Sequence, residues 1–130
     1  MRIDYAARAR ALVGTRFRPQ GRSEGGLDCV GVVLATFGLA ADAVRSNYRL
    51  SGDHQLEIRQ QLGRYFRQVR KSELRPGDVM LLSITRQQMH LAVKTAGGFV
   101  HAHAGIGRVA ETPGYPEWPL VCVYRKRRSR

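Results

Sequence analysis

The stretch that decides the fold reads Leu27-Asp28-Cys29-Val30-Gly31-Val32-Val33-Leu34-Ala35-Thr36-Phe37-Gly38-Leu39. Residues 30–39 are almost wholly apolar, which predicts a buried helix. Asp28 is a favoured N-cap residue, because its carboxylate accepts hydrogen bonds from the unpaired N–H groups of a first helical turn. Cys29 therefore stands at the tip of a buried helix.

The segments around this helix predict an α+β domain. Apolar spacing predicts two further helices, over residues 3–13 and 56–69, the second capped by Ser51 or Asp53. Residues 16–27 are rich in glycine and contain Pro19, so we expect a loop that leads to Cys29. Four short β-rich segments follow, over residues 79–82, 90–94, 98–102 and 120–124. Helices that precede strands indicate helices packed on an antiparallel sheet.

The composition is that of one compact domain. The chain has 130 residues, 43% of them hydrophobic, and no Pro-, Gly- or Ser-rich linker divides it. We expect a single domain over residues 1–124 and a mobile basic tail over residues 125–130. The sequence has no apolar run long enough to span a membrane and no apolar stretch of a secretory signal at its start. We therefore expect a protein that is cytoplasmic when synthesised.

The charge is strongly positive. The formal net charge is +12, and five of the positive charges lie in the predicted tail. A basic surface attracts nucleic acid, anionic lipid and anionic wall polymers alike. Aromatic residues make up 8% of the chain and no nucleic-acid-binding motif occurs. A basic nucleic-acid-binding domain is thus an alternative, but we do not expect nucleic acid to be the partner.

The two cysteines have different surroundings. Cys122 lies in a short apolar, β-branched run that predicts a core strand, where a thiol acts as a small hydrophobe. Cys29 lies at a predicted helix tip, whose free N–H groups and positive dipole end stabilise a thiolate and lower its pKa. The same N–H groups can hold the oxyanion formed when a carbonyl is attacked. Gly31, without a side chain, would let a substrate approach this tip.

Three histidines are candidates for the base that such a cysteine needs. His90 begins one predicted strand, and His101 and His103 lie on the next. If residues 95–98 form the connecting loop, His90 lies opposite His103 and diagonal to His101, all on one face. One of them would act on Cys29 and another would fix its tautomer. We treat His54 as a surface residue.

The same residues could suggest a zinc site. The spacing lacks a compact Cys-x-x-Cys or His-x-x-x-His pair, so we expect no metal and no other cofactor.

Four motifs, which together cover nearly the whole chain, resemble one family. The segments Val13-Gly14-Thr15-Arg16-Phe17 and Leu27-Asp28-Cys29-Val30-Gly31-Val32-Val33 resemble the nucleophile region of the NlpC-type cell-wall cysteine peptidases, where Gly-Thr-Pro-Tyr precedes Asp-Cys-Ser-Gly. Arg75-Pro76-Gly77-Asp78-Val79 is similar to the turn before their first core strand. Met89-His90-Leu91-Ala92-Val93 and Phe99-Val100-His101-Ala102 are similar to the strands that carry their histidine and their third polar residue.

The resemblance implies a papain-like fold and a thiol peptidase that hydrolyses peptidoglycan stem peptides at the γ-D-glutamyl to diamino-acid amide. It implies that Cys29 is the nucleophile, His90 the base and His101 the orienting residue, with His103 as the rival for that last role. Asp28 would cap the helix or bind a substrate amine. Phe17, Gly31 and His103 would line the substrate site.

Two departures from the family motif motivate a second reading. Val30 replaces the serine after the cysteine, and Phe17 stands where tyrosine is common, so two hydroxyl groups are missing. A short chain with these features resembles the subgroup encoded with phage tails and gene transfer agents. Phage-like tail proteins would then be partners, and the particle would carry the enzyme to the target cell envelope. The alternative is a structural tail protein with weak catalysis or none.

Overall fold

The computed structural model describes residues 3–19, 21–23, 25–43, 55–85 and 88–127. Three α-helices are α1 (Tyr5–Arg10), α2 (Cys29–Phe37) and α3 (Gln55–Gly63), and a 3₁₀ turn covers Lys71–Glu73. The strands are β1 (Arg22–Ser23), β2 (Gly26–Leu27), β3 (Phe66–Val69), β4 (Val79–Ser83), β5 (Met89–Lys94), β6 (Gly98–His103), β7 (Arg108–Pro113) and β8 (Leu120–Lys126).

Helix α2 is the buried helix that the sequence predicts. Its residues are buried except Ala35. The Asp28 carboxylate accepts a hydrogen bond from the Gly31 N–H at 2.7 Å, which confirms the predicted cap. Gly38, at φ 66°, adopts the left-handed conformation that ends the helix at low steric cost. The Asp28 cap and the left-handed Gly38 thus set the two ends of the helix.

The predicted helix over residues 56–69 is wrong in its second half. Helix α3 ends at Gly63, and Phe66–Val69 forms strand β3, which pairs with β8. Phe66 and Val69 are both buried, so the spacing that suggested a helical face comes from the two ends of a short strand. The predicted caps Ser51 and Asp53 lie outside the described residues, as does His54.

The large sheet has six antiparallel strands in the order β3-β8-β4-β5-β6-β7. The main core lies between one face of this sheet and the helices, where Leu91 and Val93 of β5 join the same cluster as Val32 and Leu34 of α2. The opposite face carries a smaller cluster of Met80, Leu82, Ala92 and Phe99, against which Trp118 packs. The α+β class is confirmed.

Strand β8 corrects the predicted tail. It continues through Lys126, and the Arg125 guanidinium binds the Asp78 carboxylate with two contacts of 2.8 Å. Asp78 also accepts the Arg75 N–H at 3.0 Å, so the turn of residues 75–78 is tied to β8. Because the buried Asp78 carboxylate needs a cation, Arg125 belongs to the sheet. A domain boundary at residue 124 is therefore wrong.

In the part of the chain that the structure describes, helices are too short or too polar to cross a membrane.

Candidate active site

Cys29 is the first residue of α2, and its side chain is buried, with 2% of its surface exposed. Backbone N–H groups of Leu91, Val30 and Cys29 itself favour a charged sulfur and lower the pKa of the thiol. The next two N–H groups of the helix are not available for this, because Gly31 and Val32 both donate to Asp28. The capping pattern thus leaves the first two N–H groups of the helix for the sulfur.

The pKa of Cys29 differs from the sequence prediction. Burial and, to a lesser extent, the neighbouring Asp28 charge raise the pKa of this thiol to about 12, although the three backbone N–H groups lower it. The prediction that the helix tip lowers the pKa is therefore wrong for this conformation, because loss of solvation outweighs the N–H groups. At neutral pH Cys29 is a thiol here.

The hairpin of β5 and β6 brings two of the three predicted histidines, His90 and His101, into contact. Thr95 N–H donates to Gly98 O at 2.9 Å, and the strands pair as Val93↔Val100 and Lys94↔Phe99. Continued along both strands, this register would set His90 opposite His103 and diagonal to His101, but the paired residues end at Val93 and Val100. Nε2 of His90 lies 2.9 Å from Nδ1 of His101.

The histidine pair extends to a threonine. Nε2 of His101 lies 3.2 Å from Oγ1 of Thr112, on β7. If His90 carries its proton on Nε2, it donates to His101, and His101 in turn donates to Thr112. This arrangement leaves Nδ1 of His90 as an acceptor. Thr112 was missed by sequence reasoning, because β7 carries no strong strand signal.

A local separation of β5 and β6 brings Cys29 next to the histidine strand. Lys94 N–H donates to the O atom of Asp78, the residue before β4, so by alternation Leu91 N–H points toward β6. The β5–β6 register comprises only the two pairs nearest the turn, and Leu91 N–H interacts with the Cys29 sulfur. The sulfur therefore lies one residue along the strand from His90. Within the described residues, no hydrogen bond joins Cys29 to His90.

Trp118 covers the imidazoles. Its ring centroid lies 5.7 Å from that of His90 and 6.1 Å from that of His101. Burial lowers the pKa of His90 to about 3, with a further contribution from His101 and His103, and burial and His103 lower the pKa of His101 to about 4. Both imidazoles are therefore neutral at pH 7. Sequence reasoning also missed Trp118, which lies in the irregular connection between β7 and β8.

The three residues predicted to line the substrate site, Gly31, Phe17 and His103, lie in different surroundings. The open side of Gly31 faces the protein itself, since a Cβ there would lie 2.2 Å from Gly21 O. Gly31 therefore admits a loop of this chain, and its predicted role toward substrate is wrong. Phe17 is half-buried against the core, and its N–H donates to Gly107 O at 2.8 Å. The His103 ring lies 5.3 Å from that of His101, at the margin of the site.

Among the described residues, no group of three or more histidine, cysteine or acidic side chains could hold a metal ion.

Several solved structures share this fold. NlpC2 from Trichomonas vaginalis superimposes with a TM-score of 0.67 at 16% identity, over 94% of this chain and 45% of that one. RipB, a peptidoglycan hydrolase from Mycobacterium tuberculosis, gives 0.60 at 20% identity over 95% and 62%. The NlpC/p60 domain of the peptidoglycan hydrolase SagA gives 0.60 at 17% identity over 85% and 86%.

The chain spans less than half the length of NlpC2 and of NlpC1, two of the similar structures from Trichomonas vaginalis. No protein-family profile and no curated protein sequence matches it. Identities of this size establish a common architecture and leave activity to be argued from the site. The chain therefore has the α+β fold of the NlpC/p60 domains.

Proposed function

We propose that this chain is a cysteine peptidase that cleaves an amide bond of peptidoglycan stem peptides through a thioester intermediate. One observation carries the proposal: Cys29 begins a buried helix beside the strand whose His90 is oriented by a second histidine, and backbone N–H groups of Leu91, Val30 and Cys29 itself lower the pKa of the thiol. A nucleophile with oriented base and oxyanion donors is the constellation for acyl transfer.

In the first step the Cys29 sulfur attacks the substrate carbonyl carbon. Because both groups are neutral at pH 7, the thiol proton passes to Nδ1 of His90 as the S–C bond forms. His101 accepts the Nε2–H of His90 and holds the ring in this tautomer. The N–H groups at the helix tip and on Leu91 stabilise the oxyanion.

In the second step the C–N bond breaks. His90 returns its proton to the leaving amine, and Cys29 is left as a thioester. A water molecule, deprotonated by His90, then attacks the thioester carbonyl. As the C–S bond breaks, His90 returns this proton to the sulfur, so the acid and the free thiol are released. Imidazole thus acts as base and then as acid both in forming the thioester and in hydrolysing it.

The substrate assignment rests on fold and motif likeness. Two of the similar structures are described as peptidoglycan hydrolases or their domains. The sequence motifs around Cys29, His90 and His101 resemble those of NlpC-type peptidases. The bond that these likenesses favour is the γ-D-glutamyl to diamino-acid amide.

The test is incubation with purified sacculi and soluble muropeptides, with released peptides identified by mass spectrometry. Wild-type protein is expected to release fragments with a new amino terminus on a diamino acid. Cys29→Ala should release none, and Cys122→Ala should act like the wild type. Turnover by Cys29→Ala would overturn the mechanism, and cleavage at another bond would correct the substrate.

A second candidate is a structural component of a phage-like tail that keeps the fold without turnover. The 2% exposure of Cys29 and the missing hydrogen bond to His90 within the described residues favour it. It predicts co-sedimentation with tail particles, and assembly unaffected by Cys29→Ala. If particles carry the chain and sacculi are also cleaved, we infer delivery of an active enzyme to the target envelope.

A further inference from the structure

Three cationic or proton-donating side chains form a row across the sheet edge beside the candidate active site. His103 of β6 pairs with Arg108 of β7, and Arg108 pairs with Arg16 of the preceding loop. Residues paired across antiparallel strands share one face. This is the face on which His101 lies, so the row of Arg16, Arg108 and His103 begins at the histidine pair and leads away from it.

Arg16 and Arg108 approach each other closely. Phe17 N–H donates to Gly107 O and Val109 N–H donates to Thr15 O, both at 2.8 Å, so these bonds flank the arginine pair. The pair itself is therefore of the non-hydrogen-bonded kind, in which Cα atoms lie about 4.5 Å apart and side chains are nearest. Like charges at such a position destabilise a sheet.

Nothing in the described part of the chain neutralises this pair. Arg108 donates one bond, from Nη1 to Gly14 O at 2.9 Å, and no carboxylate contacts Arg16 or Arg108 among the described residues. Both side chains are exposed. The row thus presents two guanidinium groups that no carboxylate of the described residues contacts, next to a site that we propose for peptides.

The opposite edge of the sheet provides a comparison within the same molecule. Arg67 of β3 also pairs across strands with an arginine, Arg125 of β8. There the charge of Arg125 is matched by Asp78. The structural arginine pair has its own carboxylate, and the pair beside the histidines has none among the residues that the structure describes.

We propose that Arg16, Arg108 and His103 form a subsite for a carboxylate of the peptide that occupies the Cys29–His90 site. This inference rests on the proposed function. Guanidinium groups bind carboxylates through paired N–H donors, and two of them side by side fit one carboxylate. Strand spacing of about 4.8 Å puts Arg16 about 10 Å from His103, so the carboxylate lies a few bonds from the scissile amide.

The test uses one muropeptide with free carboxylates and the same muropeptide with its carboxylates converted to amides. The variants are Arg16→Gln, Arg108→Gln and the double variant. Arg67→Gln, an exposed arginine of a cross-strand pair at the far edge, is the matched control. Arg108→Lys keeps the positive charge and a donor for Gly14 O. It therefore distinguishes an effect of lost charge from an effect of disturbed folding.

The double variant is expected to lose about ten- to a hundredfold in kcat/KM on the carboxylate form, mainly through KM, because hydrogen bonds to charged groups are the strong ones. It should lose little on the amide form, so that the preference of the wild type disappears. Arg67→Gln should keep both values. Equal losses on both forms, or no loss, would overturn the subsite.

A binding experiment separates this inference from the proposed function. Cys29→Ala protein is titrated with both muropeptides by calorimetry, which needs no turnover. A carboxylate preference that vanishes in the double variant supports the subsite even if hydrolysis is never seen. Binding of neither form at millimolar concentration overturns it. Loss of affinity for a phosphodiester polymer, with carboxylate preference retained, assigns the row to polymer phosphates and also overturns it.

Discussion

The two cysteines of this chain are equally buried, at 2% exposure each, yet their surroundings have opposite chemical character. Cys122 pairs with Leu81 in the middle of the sheet and belongs to the main apolar core cluster. Cys29 begins a helix among N–H groups and beside histidines. Exposure therefore does not distinguish a candidate nucleophile here. What distinguishes Cys29 is its place at a helix tip, with backbone N–H groups and the Nδ1 acceptor of His90 on the neighbouring strand.

Replacing each cysteine with alanine is the most direct test of this difference between Cys29 and Cys122. Cys29→Ala is expected to lower turnover of muropeptides by at least about 10³-fold, because the bond-forming atom is lost. Cys122→Ala should keep turnover within about twofold and lower the free energy of unfolding by about 1–3 kcal/mol, because a cavity forms in the core. Both are measured by peptide release and urea unfolding. Equal effects on turnover would remove the distinction.

The two histidines beside Cys29 should differ from each other. His90→Ala removes the base and is expected to lower turnover by about 10²- to 10⁴-fold. His101→Asn keeps a partner for Nε2 of His90 and should lower it less, by about tenfold. Steady-state kinetics of the two variants, with Cys122→Ala as control, makes the measurement. A larger loss in His101→Asn than in His90→Ala would reverse the assigned roles.

Acid should destabilise the histidine end of the molecule. The folded pKa values of about 3 for His90 and about 4 for His101 lie below the unfolded value near 6.5. Between these values the unfolded chain binds more protons, so stability is lost as pH falls below about 6.5, by up to about 1.4 kcal/mol per pH unit for each histidine.

The measurement is the urea midpoint between pH 7 and pH 4.5. The double variant His90→Asn/His101→Asn should show a flatter profile than the wild type. The Cys122→Ala variant should keep the wild-type slope, because it retains both histidines. A wild-type slope that the double variant shares would show that other groups cause it.

The smallest effect is expected at Thr112, the far end of the hydrogen-bond chain. Thr112→Val keeps the shape and removes the acceptor for His101, so turnover should fall by about two- to tenfold. Thr112→Ser restores the hydroxyl and should recover most of this loss. The turnover rates of both variants, measured by steady-state kinetics, check this expectation. If valine is without effect, His101 is held by packing against Trp118 and not by the hydroxyl.

The residues predicted from the sequence were those whose placement has local causes. The apolar run after Cys29, its Asp28 cap and the left-handed Gly38 lie within one helix. The short loop between β5 and β6 determines how His90 and His101 face each other, so turn length and strand alternation suffice to place the pair. They do not place Thr112 and Trp118, which reach the histidines from distant segments without a pattern of their own.

Misplaced elements have the same explanation. Phe66 and Val69 match a helical period as well as a strand with buried ends, and only pairing with β8 decides between them. Arg125 has the sequence of a basic tail, and only the buried Asp78 carboxylate holds it in the sheet.

By itself, the sequence determined the class of the fold, the helix with a cysteine at its tip and the histidine pair, because periodicity, caps and turns act over a few residues. Only the tertiary structure decided how buried the thiol is, which way its pKa moves, and which groups reach His101 and Arg108. Solvation and cross-strand contacts depend on which distant segments pack together.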